Sequence, residues 1–172
     1  MRYFLEFTKS SGAGNDFVLI NNMGGQLQLD KGGLAVSLCS RHFGIGADGL
    51  LLLERSDNAD FFMRYYNADG SYGGMCGNGG RCAARYAYLR GFARERMKFE
   101  ALGFIYNAEI SGENVKLSMK DPSDIQLDLP IHVSSGTFSG SFVNTGSPHI
   151  VVFVEDLEMN DLMSIGREIR WH

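Results

Sequence analysis

Met75-Cys76-Gly77-Asn78-Gly79-Gly80-Arg81-Cys82 runs directly into a helix-like stretch, Ala83 to Leu89. Glycines let a backbone come close to a ligand and turn its N–H groups outward. A helix start adds a partial positive charge at the same place. A thiol held there is expected to lose its proton more easily than a free one. The stretch therefore offers a basic sulfur and a seat for an anion such as a carboxylate, with Gly77 to Gly80 as the donor backbone. Together these are half of what moves a proton on and off carbon. In the helix itself, Cys82, Tyr86 and Leu89 share one stripe at helical spacing, with Arg81, Arg85 and Arg90 towards the outside. Gly91 supplies a stop.

Upstream, Tyr3, Leu5 and Phe7 alternate with Phe4, Glu6 and Thr8, so Arg2 to Thr8 reads as a strand. Ser10 to Asp16 is a loop by composition, and Phe17 to Ile20 a second strand. Asp30 can cap a helix over Leu34 to Arg41. Gly44 to Gly49 is a glycine loop, followed by a buried strand at Leu50 to Glu54 and another at Asp60 to Tyr66. A turn at Asn67-Ala68-Asp69-Gly70 leads on to the cysteine stretch. Downstream lies a meander: Met97 to Ala101, Phe104 to Ile110, and Val115 to Met119 after the turn at Ser111 to Asn114. Asp121-Pro122-Ser123-Asp124 marks the domain boundary. Short strands follow near Ile131 to Ser134, Phe138 to Asn144 and Ile150 to Val154, then a helix over Leu157 to Ile169. The class is α+β, with mixed or antiparallel strands.

Composition narrows the chemistry. The 172 residues carry a formal charge of -4, with Lys and Arg unclustered, so neither nucleic acid nor an anionic membrane surface is indicated. No apolar run approaches transmembrane length. Three cysteines imply no disulfide framework, and a reduced, cytoplasmic chain fits best. Cys82 and Cys39 lie on apolar helix faces and read as packing. Cys76 is followed by Gly-Asn-Gly-Gly, which offers no packing surface.

Other motifs are weaker. Gly44-Ile45-Gly46-Ala47-Asp48-Gly49 is a literal GxGxxG, but a dinucleotide site needs a strand before it and a helix after it. Here the order is reversed, so the stretch reads as a tight helix-to-strand connection. Asn15 and Asn67 can bind a polar ligand or simply serve turns. His149 stands beside a turn, Asn144 to Pro148. No metal is expected, because Cys76 and Cys82 are not at CxxC spacing and no HxxxH exists.

Taken together the segments resemble the diaminopimelate epimerase family. The matching pieces are Phe7-Thr8-Lys9 with Gly14-Asn15-Asp16-Phe17, and Arg41-His42-Phe43-Gly44-Ile45-Gly46-Ala47-Asp48-Gly49. Asn67-Ala68-Asp69-Gly70-Ser71 and the stretch from Met75 to Cys82 complete the set. The resemblance implies a mixed-sheet lobe wrapped on a central helix, residues 1–121, and the beginning of a second, pseudo-symmetric lobe, residues 122–172. It implies a cofactor-independent enzyme that interconverts LL- and meso-diaminopimelate for lysine and peptidoglycan synthesis. One cysteine from each lobe acts, one thiolate removing the α-proton and the other thiol delivering one to the opposite face. Cys76 matches the first-lobe cysteine. Gly77 and Asn78 match the site for the α-carboxylate and amine, Asn15 and Asn67 match substrate-contacting asparagines, and His149 matches a histidine that tunes the thiols. Members of the family often form homodimers.

Three departures stand out. Ser147 replaces an asparagine of many members and lacks its amide donors, so substrate contact there is doubtful. Gly49 replaces a glutamine that reaches the substrate in some members. The family's second lobe continues with a second asparagine, a Glu-Arg pair and the second cysteine, so this chain is expected to stop inside that lobe and to be inactive alone. Two other readings compete: a different two-cysteine amino-acid racemase, for example one acting on histidine, and a non-catalytic anion-binding module built on the glycine backbones.

Overall fold

The computed structural model describes residues 4–158 and 161–171, and the chain divides between Met119 and Lys120 into two units. The first holds β1 (Thr8–Gly12), β2 (Asn15–Asn21), α1 (Lys31–Cys39), β3 (Gly49–Glu54), β4 (Phe61–Asn67), α2 (Gly77–Leu89), β5 (Arg96–Ala101), β6 (Phe104–Ser111) and β7 (Asn114–Ser118). Its seven strands form one sheet in chain order. The β2–β3 and β4–β5 pairs are parallel and the rest antiparallel, so the sheet is mixed.

The sheet is covered on both faces because β3 is apolar at every position from Leu50 to Leu53, all fully buried. Side-chain alternation sends Leu51 and Leu53 towards α2, with Phe17, Met63 and Phe99. Leu50 and Leu52 join Val18, Ala35 and Cys39 on the α1 side. Asp30 caps α1 by accepting from the N–H groups of Gly32 and Gly33, both at 3.1 Å.

The α2 helix touches both edge strands, β1 and β7, as well as β2, β3, β4 and β6. Only a sheet curled round the helix allows that. Small residues make the approach possible: Ala83, Ala84 and Ala87 are fully buried. A Cβ on Gly80 would stand 3.0 Å from Leu117 and 3.1 Å from Phe99. The helix ends where the N–H groups of Gly91 and Phe92 bond the carbonyls of Tyr88 and Ala87 at 3.0 and 2.8 Å. Leu89, expected on the buried stripe with Cys82 and Tyr86, is 65% exposed. The chain turns back at Gly91, and Phe92 packs on Tyr86 instead.

The first strand departs from its expected place. It begins at Thr8, residues 4–7 lie outside the sheet, and Arg2 and Tyr3 lie outside the described residues. The supposed loop from Ser10 to Asp16 is a hairpin: Gly12 pairs with Asn15 across Ala13-Gly14, whose φ angles are 54° and 81°. That is the primed turn that suits strand twist. Its polar composition concealed it.

The second unit is an antiparallel sheet of β8 (Ser123–Val133), β9 (Gly136–Asn144) and β10 (Pro148–Val152), with α3 (Leu162–Arg170). The short strand expected near Ile131 is the end of β8, which is interrupted by register shifts between Ser123 and Leu129. The last helix starts at Leu162 rather than Leu157, because Asp161 caps it by accepting from Ser164 N–H at 3.1 Å. Met159 and Asn160 of the expected helix lie outside the described residues. Ser134 bonds Glu168 through its N–H and hydroxyl, at 2.6 and 2.5 Å, and so ties α3 to the β8–β9 turn. The fold is α+β throughout. Among the described residues no helix is long and apolar enough to cross a membrane.

Candidate active site at the head of α2

Cys76 is the N-cap of α2, with extended backbone at φ -130° and ψ 121°. Its Sγ accepts from Gly79 N–H at 3.5 Å and donates to Asn15 Oδ1 at 3.7 Å. Cys76 is half-buried, whereas Cys39 and Cys82 are buried. Burial pushes the thiol of Cys39 up to about 11 and that of Cys82 upward as well. Neither is placed to react.

The glycine stretch is helix, not loop, and this alters the expected donor set. Gly80 N–H bonds Cys76 carbonyl at 2.7 Å as the first helical bond, and Gly79 N–H faces the thiol. Gly77 and Asn78 belong to the first turn, whose N–H groups have no partner within the helix. The four-residue donor set thus narrows to Gly77 and Asn78. Gly79 and Gly80 are glycine chiefly so that the helix can press on Leu51, Leu117 and Phe99. The Asn78 carboxamide oxygen accepts from the Arg81 guanidinium.

Asn15 starts β2, Gly49 starts β3 and Asn67 ends β4; Gly49 pairs with both Phe17 and Asn67, so the three lie at one end of the sheet. Asn67 Oδ1 accepts from Tyr65 Oη at 2.7 Å, and its Nδ2 donates to Ser71 Oγ at 3.0 Å. The Tyr65 ring is buried and fills the space a side chain at Gly49 or Gly73 would need, with a Cβ only 2.4 Å away in either case. Burial pushes the Tyr65 hydroxyl up to about 12, with the neighbouring Cys76 adding to the effect.

Behind Asn15 stands a charged cluster that inspection of the sequence did not single out. Asp48 accepts from Asn15 Nδ2 at 2.7 Å and from Arg41 Nη2 at 2.7 Å. Asp16 meets Arg41 at 2.9 Å and Lys9 at 2.8 Å. The Arg41 guanidinium, then the Lys9 ammonium, hold the Asp16 carboxyl well below the usual carboxylate range. All four residues sit inside the quoted motifs, yet nothing local in a chain reveals that the Lys9–Asp16 and Arg41–Asp48 pairs, each seven residues apart, are brought together across 25 positions by the Arg41–Asp16 pair. The Gly44 to Gly49 loop does connect α1 to β3, the reverse of the dinucleotide order.

His149 and Ser147 belong to the second unit. His149 Nε2 lies 3.1 Å from Thr145 Oγ1, and the Ser147 carbonyl accepts from Thr145 N–H at 3.1 Å; both residues are exposed. Among the described residues no group of three or more His, Cys, Asp or Glu side chains is placed to hold a metal ion. A cleft of about 780 Å³, lined by Leu5, Leu29, Tyr86, Arg90 and Phe92, lies at the far end of α2 from Cys76. Its lining includes none of the residues just described, so size does not make it the reactive centre.

A curled mixed sheet enclosing a central helix defines a structural class. It is shared with a Bacillus anthracis phenazine biosynthesis protein of the PhzF family, at TM-score 0.67 and 17% identity over 90% of this chain and 56% of that one. It is also shared with a probable proline racemase from Agrobacterium radiobacter, at TM-score 0.65 and 17% identity over 95% and 53%. Within that class, residues 7–125 match the diaminopimelate epimerase family. The diaminopimelate epimerase of Chlorobaculum tepidum is 46% identical over 163 residues, 93% of this chain and 62% of that protein. That of Aquifex aeolicus is 40% identical over 179 residues, 98% and 64%. The chain belongs to the diaminopimelate epimerase family, and it spans a little under two thirds of the length of these relatives.

Proposed function

We propose that this chain supplies the first lobe, residues 1–121, and the opening of the second, residues 122–172, of a cofactor-independent epimerase that interconverts LL- and meso-diaminopimelate. The observation that carries this is the half-buried Cys76 at the head of α2, its thiol between Gly79 N–H and the Asn15 carboxamide. The α-proton of an amino acid is weakly acidic, so its removal requires the growing negative charge to be met by donors already in place. The N–H groups of Gly77 and Asn78, at the positive end of α2, are the donors for the α-carboxylate. Asn15 and Asn67 contact the substrate, and their amides are already oriented by Asp48 and Tyr65. Inversion needs one group on each face of the α-carbon, and Cys76 serves one of them. The buried Cys82 does not serve the other, which comes from a second cysteine in the rest of the second lobe. His149 tunes the thiols, and Ser147 makes at most a weak substrate contact. The enzyme acts in the cytoplasm, where its free thiols stay reduced.

The test uses a full-length protein that contains this chain. Exchange of the α-hydrogen of LL-diaminopimelate with D2O reports proton removal directly. Cys76→Ala is expected to slow it by about 10²–10⁴-fold, the usual size of an acid–base contribution. Exchange within a few-fold of the parent, or faster turnover of histidine than of diaminopimelate, would refute the assignment.

A further inference from the structure

Asn67 is held at both ends of its carboxamide, and one charged atom sets the sense of every bond. An ionised carboxylate only accepts hydrogen bonds. Asp69 Oδ1 accepts from the Ser71 hydroxyl at 2.5 Å and from Ser71 N–H at 2.8 Å, which hold the Asp69 carboxyl below its ordinary pKa. With its one proton given to Asp69, the Ser71 hydroxyl faces Asn67 as an acceptor, and Asn67 Nδ2 donates to it at 3.0 Å. The carboxamide oxygen is then turned the other way, where it accepts from Tyr65 Oη at 2.7 Å. The four side chains form one line of donors running from Tyr65 to Asp69.

Tyr65 is placed for this by what its neighbours lack. Side-chain alternation puts it on the α2 side of β4 with Met63, edge-on to Phe17 with 5.9 Å between ring centres. Gly49 and Gly73 flank the ring, and a Cβ at either would come within 2.4 Å of it. A Cβ at Gly73 would also stand 3.2 Å from Asn67 Oδ1. The ring is therefore confined, and its hydroxyl is aimed at the carboxamide. Burial pushes that hydroxyl up to about 12, so it keeps its proton at neutral pH and donates.

We propose that Tyr65, Ser71 and Asp69 are positioning residues: they pin the Asn67 carboxamide in one of its two flips, Oδ1 towards Tyr65 and Nδ2 towards Ser71, and so raise the affinity for the amino-acid substrate. The proposal rests on the substrate contact assigned to Asn67 above. An unclamped carboxamide loses a flip and side-chain freedom when it binds, whereas a clamped one has already lost them.

Steady-state kinetics of the full-length protein on diaminopimelate, arranged as a double-mutant cycle, tests this. Asn67→Ala removes the contact and is expected to lower kcat/KM about tenfold or more. Tyr65→Phe keeps the ring and removes only the donor. KM is expected to rise about three- to tenfold with kcat within about twofold, because the contact is made alike in ground and transition state. In the Asn67→Ala background the same change is expected to move KM by less than about twofold, since Tyr65 acts through Asn67. A merely structural tyrosine would act equally in both backgrounds. Tyr66→Phe, on the opposite face of β4 against Tyr72, is the control and should stay within about twofold of the parent. An unchanged KM in Tyr65→Phe, a fall in kcat alone, or an equal effect in both backgrounds overturns the proposal. Should Tyr65→Phe fail to fold by circular dichroism, Ser71→Ala removes the other partner; it must raise KM and lose that effect in the Asn67→Ala background, and failure of either overturns the proposal. Parental kinetics in Asn67→Ala would instead overturn the functional reading of Asn67, and the proposal with it.

Discussion

In the first unit, Leu50 to Leu53 of β3 are fully buried between two helices, and Phe17, Phe61 and Phe99 are fully buried with them. In the second unit, among the described residues, Ile131 is the one buried apolar side chain. Leu127, Phe153, Met163 and Trp171 are each more than 60% exposed, and α3 buries none of its residues. Both units are built on hydrogen-bonded strand ladders. What separates them is whether a ladder is covered. Apolar surface removed from water is worth about 25 cal/mol per Å², and a small sheet with an open face gains little of it. The first unit therefore buries most of the apolar surface that this chain removes from water, and the three-stranded sheet buries little.

The largest consequence is in amide hydrogen exchange. Amides of β3 and β4 should exchange only on global opening, while those of β8 to β10 exchange through local opening, at least about 10³-fold faster. Comparable protection in the two sheets would break the contrast. Truncation sharpens it next. Leu51→Ala removes a fully buried side chain beneath α2 and should cost about 2–5 kcal/mol in urea unfolding. Leu127→Ala, 67% exposed, should stay within about 0.5 kcal/mol.

Acid acts on the first unit through two of its carboxyls. Burial alone would raise the Glu54 carboxyl, but bonds from Lys31, Arg64 and Asn22 outweigh it and leave it lowered. Asp16 is lowered by Arg41 and Lys9. A carboxyl lowered in the folded state binds fewer protons there than when unfolded. Its contribution is complete above the ordinary carboxylate range of about 4 and is lost as pH falls through and below it. The urea midpoint of the first unit should hold from neutral pH to about pH 5 and then drop. Glu54→Gln should lower the neutral-pH midpoint and flatten the acid drop. An unchanged pH profile in that variant would show that Glu54 does not contribute.

What could be read from the sequence followed local patterns. The unbroken apolar run of β3, the Asp30 cap and the Gly91 stop are each written in a few adjacent residues. The hairpin at Ala13-Gly14 was missed because β1 is an edge strand of polar residues, and pairing rather than hydrophobicity makes it a strand. The beginning of α2 was placed too late because four of its first residues are glycine or asparagine, poor helix formers that the surrounding sheet overrides. The cysteine and the two asparagines were legible from their motifs. The Asp16, Arg41 and Asp48 clamp was not, since its members come from three loops and strand ends.

The smallest effects distinguish glycines within α2, and they bear on how tightly the first unit closes on its helix. Alanine is favoured over glycine in a helix by up to about 1 kcal/mol, so space decides the sign. At Gly80 a Cβ would meet Leu117, Phe99 and Met75 at 3.0, 3.1 and 3.2 Å, tighter than ordinary contact. Overpacking of that kind costs about 1–3 kcal/mol, and Gly80→Ala should destabilise on balance. At Gly77 the nearest atom would be Met119 Sδ at 3.7 Å, ordinary contact, and φ there is helical. Gly77→Ala should therefore be neutral or raise the urea midpoint by a few tenths of a kcal/mol equivalent. Under the proposed function the same methyl would crowd the N–H that meets the substrate carboxylate, so affinity should fall while stability holds. If Gly80→Ala proved as harmless as Gly77→Ala, the sheet would not be closed on α2 as tightly as these distances require.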